Sequence, residues 1–166
     1  GKHFRRVMGL IDPDKVVFGG KGDPDTLKIQ PTILDNVSPE DAVMQEEIFG
    51  PVLPVLTFED VQEALDFVNA RPRPLALYLF SRDRRVQELF LRRASFGGGC
   101  INDTVIHLAT SRMPFGGVGN SGMGSYHGRA SFDAFSHRKS IVKKSTLADL
   151  PVRYAPCTPV KNKLLR

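Results

Sequence analysis

Between positions 52 and 101 the apolar residues switch repeatedly between strand and helix spacing, and that alternation leaves few architectures open. Residues 52–58 are apolar almost throughout and read as a strand. From Glu59 onward, Val61, Ala64, Leu65 and Val68 fall at i, i+3, i+4 and i+7, one stripe of a helix that Pro72 and Pro74 must end. Residues 75–80 (LALYLF) are apolar at every position, which predicts a strand covered on both faces. A second helix, capped by Ser81 or Asp83, puts Val86, Leu89, Phe90 and Ala94 on one stripe and stops at Phe96-Gly97-Gly98-Gly99. Cys100-Ile101 then opens another short strand. Strand, helix, strand, helix, strand with short links is the grammar of an α/β fold with a parallel sheet flanked by helices.

The flanks are less regular. The first third reads as short strands and turns. Residues 15–18 form a β-branched run closed by Gly19-Gly20, Gly22-Asp23-Pro24-Asp25 is a turn cluster, and residues 27–34 are extended with Pro31 favouring an edge or bend. Ser38-Pro39-Glu40-Asp41 has the chemistry of a helix start: a hydroxyl cap, a proline in the first turn, and two acids at the positive dipole end. Residues 102–124 carry five glycines (116, 117, 119, 122, 124) and no periodicity, and long irregular stretches inside compact domains are usually functional. A short helix is expected over 129–135, a strand over 140–144, and a proline-punctuated basic tail over 151–166.

Composition narrows the function. Hydrophobic residues at 41% and charged residues at 25% are ordinary for a globular protein, and no apolar run approaches the roughly 20 residues of a membrane span. The chain starts at Gly1 rather than Met and runs straight into Lys2, His3, Arg5 and Arg6, as an excised piece would. Cys100 and Cys157 are too few and too far apart for a disulfide framework or a metal site, so a reducing, cytoplasmic compartment is expected. The net charge of +5 is concentrated in residues 136–166, where eight Lys/Arg face a single acid, Asp149. With no aromatic interleaving beyond Tyr154, and with Pro151, Pro156 and Pro159 breaking it, that segment reads as a solvated tail or a subunit-contacting arm. No nucleic-acid partner is expected.

Two constellations could carry chemistry. Gly117-Val118-Gly119-Asn120-Ser121-Gly122 fits G-x-G-x-x-G, the dinucleotide fingerprint. Met113-Pro114-Phe115 makes a poor strand before it, Met123-Gly124-Ser125 a poor helix after it, and Lys139-Ser140-Ile141 stands where the ribose-binding acid would be. A tight turn with close backbone approach is the better reading. The second constellation is Gln45-Glu46-Glu47-Ile48-Phe49-Gly50-Pro51-Val52. Two adjacent acids point in different directions, so one at most faces a given site. A carboxylate can accept two hydroxyl protons, and an aromatic face can pack a planar ring, which together suit a ribose and its base. A surface acid and a core phenylalanine would satisfy the same residues. His107 and His127 have no partner nearby in sequence that would make either a base.

The combination decides between these readings. MQEEIFGPVLPV, then PLALYLFS, then MPFGGVGNSGMGSYHG, in that order, resembles the aldehyde dehydrogenase superfamily over essentially the whole chain. GNSGMGSYHG, SFDAFSHRKS and LPVRYAP are closest in style to its class 3 branch, which includes fatty-aldehyde dehydrogenases. The resemblance implies the later part of the catalytic domain over residues 1–124, a short helix and an oligomerisation strand over 125–150, and the tail over 151–166. It implies NAD or NADP as cofactor, with Glu47 holding the nicotinamide ribose, Phe49 beside the nicotinamide, and Glu46 as a structural twin buried in a backbone network. It assigns Phe115, Leu108 and Ile106 to the lining of an apolar tunnel, and Asn102-Asp103 to a scaffolding turn. The substrate would be a small-molecule aldehyde, medium or long aliphatic or aromatic, and the complete enzyme a homodimer.

In that family the nucleophilic cysteine and the glutamate that activates water both precede EEIFGP. Cys100, in FGGGCINDT, follows it, and Cys157 lies in the tail, so no catalytic residue is expected in this chain. A buried, inert Cys100 with no basic neighbour fits the local sequence. Two other classes stay open: an autonomous nucleotide-binding module built on the glycine loop, and a non-enzymatic assembly fragment.

Overall fold

The computed structural model describes residues 1–147 and 149–164. It opens with helix α1 (Lys2–Gly9), followed by strands β1 (Val16–Phe18), β2 (Gly22–Asp23), β3 (Lys28–Ile29), β4 (Thr32–Leu34) and β5 (Val52–Pro54). Then come α2 (Val61–Asn69), β6 (Ala76–Leu79), α3 (Arg84–Arg93), β7 (Gly98–Ile101), α4 (Gly128–Ala134) and α5 (Pro159–Leu164). The α/β character and the order β5-α2-β6-α3-β7 match the sequence reading. Asp60 caps α2 by accepting from the Glu63 N–H, and Asp83, one of the two candidate caps, starts α3 by accepting from the Arg85 N–H.

The parallel sheet is broken into pieces. β4 and β5 pair in parallel, with β1 antiparallel on the other edge of β4, while β6 and β7 form a separate parallel pair and β2 and β3 a small hairpin. β5 stops at Pro54 rather than running to 58; its last bond, from Val55 N–H to Leu34 O at 2.9 Å, is made where β4 itself ends. β6 and β7 lie close because Gly99 stands opposite Leu77, where a Cβ would meet Leu77 O at 2.0 Å.

The main core lies at the N-terminal side, where Val7, Ile11, Leu34, Val37, Val43 and Val52 are buried together. α1, which the sequence presents as a basic stretch, contributes Val7 at 1% exposure, while Arg5 is exposed and Arg6 is half-buried. In a second packing zone α2, with Leu65 buried, meets α3, whose Phe90 faces the β6–β7 pair. Alternation along those strands gives the pair two faces. Leu77 and Leu79 turn toward Phe90, and the cross-strand neighbours Tyr78 and Cys100 turn toward His107.

Several expectations need correction. No α-helix starts at Ser38. Asp41 is held by the Lys15 ammonium and the Ser38 N–H, which bends the chain into a turn, and only a 3-10 turn at Ala42–Met44 follows. The LALYLF strand is not covered on both faces: Tyr78 is 36% and Phe80 64% exposed, since α3 packs on one side alone. Residues 140–144 form no strand; an apolar β-branched run makes a ladder only against a neighbouring strand, and none of the described residues pairs with it. The tail is partly helical, with α5 and a 3-10 turn at Pro151–Arg153. No helix among the described residues is long and apolar enough to cross a membrane.

Candidate functional site

The 46–51 turn is tied down by α1. Arg6 Nη1 pairs with the Glu46 carboxylate and also donates to Glu47 O at 3.4 Å, while Arg6 Nη2 donates to Ile48 O at 2.5 Å. His3 Nε2 lies 2.7 Å from Phe49 O and, in the tautomer that carries its proton there, donates to it. These contacts hold Phe49 at φ +48, a left-handed conformation that is uncommon for a bulky residue and strained without such support. Glu46 is not buried in a backbone network: it is exposed and ion-pairs with Arg6.

The two expected cofactor residues are presented differently. The Glu47 carboxylate makes no hydrogen bond or ion pair with the described residues and lines a cleft of about 590 Å³ with Pro72, Arg73, Pro74, Asn120 and Ser121. The Phe49 ring is 74% exposed and lines a neighbouring cleft with His3, Phe4, Leu27 and Pro51. A free carboxylate and a bare aromatic face suit a ribose diol and a flat ring. The structure does not put them in one cleft.

The glycine loop is a turn. Ser121 Oγ donates to Val118 O and accepts from Val118 N–H, both at 3.0 Å, closing a three-residue 3-10 turn at Gly119–Ser121 with no α-helix behind it. A Cβ on Gly117 would meet Ser121 O at 2.2 Å, so close backbone approach accounts for that glycine. The turn nonetheless contributes Asn120 and Ser121 to the Glu47 cleft, a meeting of distant segments that neither motif reveals alone.

The expected substrate residues occupy one loop system on the Tyr78–Cys100 face of β6–β7. Asn102 sits at φ +58 and its amide bridges Ser81, accepting from Ser81 N–H at 2.8 Å and donating to Ser81 O at 3.0 Å, which joins the ends of β6 and β7. This is the scaffolding turn anticipated for Asn102-Asp103. Val105, at φ +64, then throws the chain into a 3-10 turn at Ile106–Leu108, leaving Ile106 59% and Leu108 37% exposed while His107 is buried. Phe115 pairs with Tyr126 in an isolated bridge, and its ring lies near those of His107 and His127. The His107 ring links the Ile106–Leu108 turn to Phe115, but none of the three expected lining residues lines any of the five best-defined clefts of the described surface.

His107 is where sequence reading fell short. Its Nδ1 lies 3.6 Å from Cys100 Sγ, so Cys100 has a basic neighbour after all, and the thiol is half-buried rather than buried. A seven-residue separation across the Asn102 turn hid the contact.

The family model for the aldehyde dehydrogenase family matches residues 3–141. The chain belongs to that family. Among curated relatives, 4,4'-diaponeurosporen-aldehyde dehydrogenase of Staphylococcus aureus is 50% identical over 157 residues, covering 93% of this chain and 34% of the relative. The bovine enzyme named aldehyde dehydrogenase, dimeric NADP-preferring, is 48% identical, covering 96% of this chain and 67% of the relative. The solved substrate-bound state of S. aureus AldH is similar at a TM-score of 0.90 and 49% identity, covering 99% of this chain and 36% of that one. With relatives named as family 3 members also near half identity, the class 3 likeness holds. The chain spans about a third of the length of most of these relatives, so it corresponds to a fragment of an aldehyde dehydrogenase fold.

Proposed function

We propose that this chain is the C-terminal part of an NAD(P)-dependent aldehyde dehydrogenase that oxidises medium- or long-chain aliphatic, or aromatic, aldehydes to carboxylic acids. The free carboxylate of Glu47, set in a cleft with Arg73 and the Gly119–Ser121 turn, carries the reading. Glu47 would accept the hydroxyl protons of the nicotinamide ribose, and Phe49, braced by His3 and Arg6 through the turn backbone, would pack beside the nicotinamide. When bound, that ring supplies the acceptor for hydride from the aldehyde carbon. Phe115, Leu108 and Ile106 would line the aldehyde's path. The nucleophilic cysteine and the water-activating glutamate would come from the part of the enzyme that precedes this chain.

The assembly belongs to the same proposal. Residues 1–124 would complete the catalytic domain, 125–150 would supply a short helix and a segment that becomes a strand against a second subunit, and 151–166 the tail. The bovine relative's printed name supports a dimer and use of NADP, and the Pseudomonas syringae indole-3-acetaldehyde dehydrogenase AldA, solved with NAD+ at 31% identity and a TM-score of 0.74, supports NAD. Two cysteines without a disulfide fit a cytoplasmic location.

Glu47→Gln in the complete enzyme tests the reading. The substitution keeps the shape and weakens a charge-assisted hydrogen bond of about 1.5–3 kcal/mol, so the hydride step and cofactor affinity should suffer more than aldehyde binding. Unchanged turnover together with unchanged cofactor affinity would remove Glu47 from the site.

A further inference from the structure

Phe115 is held more tightly than a half-buried loop residue needs to be. Its backbone makes both hydrogen bonds of a bridge with Tyr126, each 2.9 Å. Its ring lies against His127 in an offset, near-parallel arrangement, with centroids 5.9 Å apart and planes 24° apart. It meets His107 at 5.9 Å with the planes tilted by 55°.

Both imidazoles are themselves fixed. His107 is 7% exposed, with Nδ1 at 3.6 Å from Cys100 Sγ and its ring edge-on to Tyr78 at 5.7 Å. His127 sits at φ +84, its backbone N–H donates to Ser131 Oγ at 2.8 Å, and its ring is edge-on to Tyr126 at 4.5 Å. Each also buries a ring nitrogen, His107 Nε2 and His127 Nδ1, with no hydrogen-bond partner among the described residues. Burying a polar atom without a partner is unfavourable, so hydrogen bonding at those atoms does not account for either ring's placement. What the two positions share is a flat ring laid against Phe115.

We propose that His107 and His127 are positioning residues for the aldehyde, acting through Phe115. They keep the Phe115 ring in one orientation, so that the wall it forms is a fixed aromatic plate that favours long or planar aldehydes over short ones. The proposal rests on the assignment of Phe115 to the substrate wall. The aromatic contacts supply the mechanism: ring pairs at centroid distances of about 4.5–7 Å prefer offset or edge-to-face geometry, and around this ring His127 lies near-parallel, Tyr126 edge-on at 5.8 Å, and His107 tilted by 55°.

The test measures kcat and KM in the complete enzyme for straight-chain aldehydes from propanal to decanal, and for benzaldehyde. The variants are Phe115→Ala, and leucine and phenylalanine at positions 107 and 127. His107→Leu and His127→Leu fill the space without a flat ring. Each should raise KM for decanal and benzaldehyde relative to propanal by about three- to tenfold, the scale of one aromatic pair, with kcat held. His107→Phe and His127→Phe restore a ring and should return that ratio to the wild-type value. A purely structural role would instead move KM for every aldehyde together. If Phe115→Ala shifts the ratio and neither leucine variant does, the positioning role is wrong while the substrate wall stands. If the phenylalanine variants fold with wild-type Tm and fail to restore the ratio, the ring contact is not what the histidines supply. If Phe115→Ala itself leaves the ratio unchanged, the wall assignment falls and the proposal with it.

Discussion

Separating this chain from the rest of an aldehyde dehydrogenase should leave it unable to behave as an ordinary monomeric domain. A folded monomer of this mass exposes about 8,200 Å², whereas the chain exposes 13273 Å². Part of the excess belongs to the extended segment after α4, where Phe135, Ile141, Val142 and Leu147 are each more than 70% exposed. Part belongs to the fold proper, where Phe18, Leu53, Phe80 and Leu91 stand out from strands and helix faces. An excess of about 5,000 Å² on one chain is more than one partner's share of an obligate interface, about 1,000–2,500 Å² of a total of about 2,000–5,000 Å². Strand edges add to this, because β6 and β7 make a pair with both outer edges unpaired among the described residues. Expressed alone, the chain should self-associate and bind a hydrophobic dye strongly. Its urea transition should be broad and should depend on protein concentration. Analytical ultracentrifugation at several concentrations, paired with circular dichroism through the urea series, reads both properties. A strictly monomeric sample with one cooperative melt above about 60 °C, the upper end of ordinary mesophilic domains, would refute the reasoning.

Three further outcomes are expected. The isolated chain should show no NAD(P)-dependent aldehyde oxidation above background, and Cys100→Ser should change nothing; turnover that disappears in that variant would overturn the placement of the nucleophile upstream. In the complete enzyme, Asn102→Ala should cost about 2 kcal/mol, from two lost side-chain bonds to Ser81 and a left-handed φ that alanine resists. Asn102→Gly should cost about half as much, and equal melting temperatures for the two would contradict the backbone argument. Asp41 has its pKa lowered from 3.8, first by the Lys15 hydrogen bond and next by the Ser38 N–H. A depressed carboxylate contributes stability above its unfolded pKa and loses it as pH falls through the folded one. The stability gap between wild type and Asp41→Asn should therefore hold near neutral pH and close below pH 3.8.

The elements legible in the sequence were those whose signal is local. The stripe of Val61, Ala64, Leu65 and Val68 places α2, and the expected candidate Asp83 caps α3 with side-chain geometry written within three residues. α1 is illegible because its apolar face is only Phe4, Val7 and Met8 among four polar or basic neighbours, and it is helical because Val7 is taken into a core built by Leu34 and Val52 far along the chain. The helix expected at Ser38 failed for the converse reason. Its capping residues are present, but Lys15 captures Asp41 from the turn before β1, and a tertiary ion pair outweighs a local propensity of a few tenths of a kcal/mol per residue. The strand expected at 140–144 has the right composition and pairs with none of the described residues of this chain, and pairing cannot be read from one segment.

The candidate site divides along the same line. A motif can name Glu47, but it cannot say that Asn120 and Ser121, more than seventy residues later, would meet it across a cleft. That meeting depends on Gly97, where a Cβ would strike Gly116 O at 2.4 Å and Leu75 O at 2.6 Å; only a bare backbone lets the glycine loop settle against the start of β6 and β7. His107 shows the limit most directly. Seen along the chain it is one histidine in an apolar turn, and its likeliest use is packing. Tyr78 and Cys100 are cross-strand neighbours in the β6–β7 register, so their side chains leave the sheet on the same face, and the Asn102 turn returns His107 to exactly that face. Period-two alternation therefore decides which strand residues can meet the His107 ring. A slip of one residue in the β6–β7 pairing would turn Cys100 toward α3 and leave His107 with no sulfur to meet.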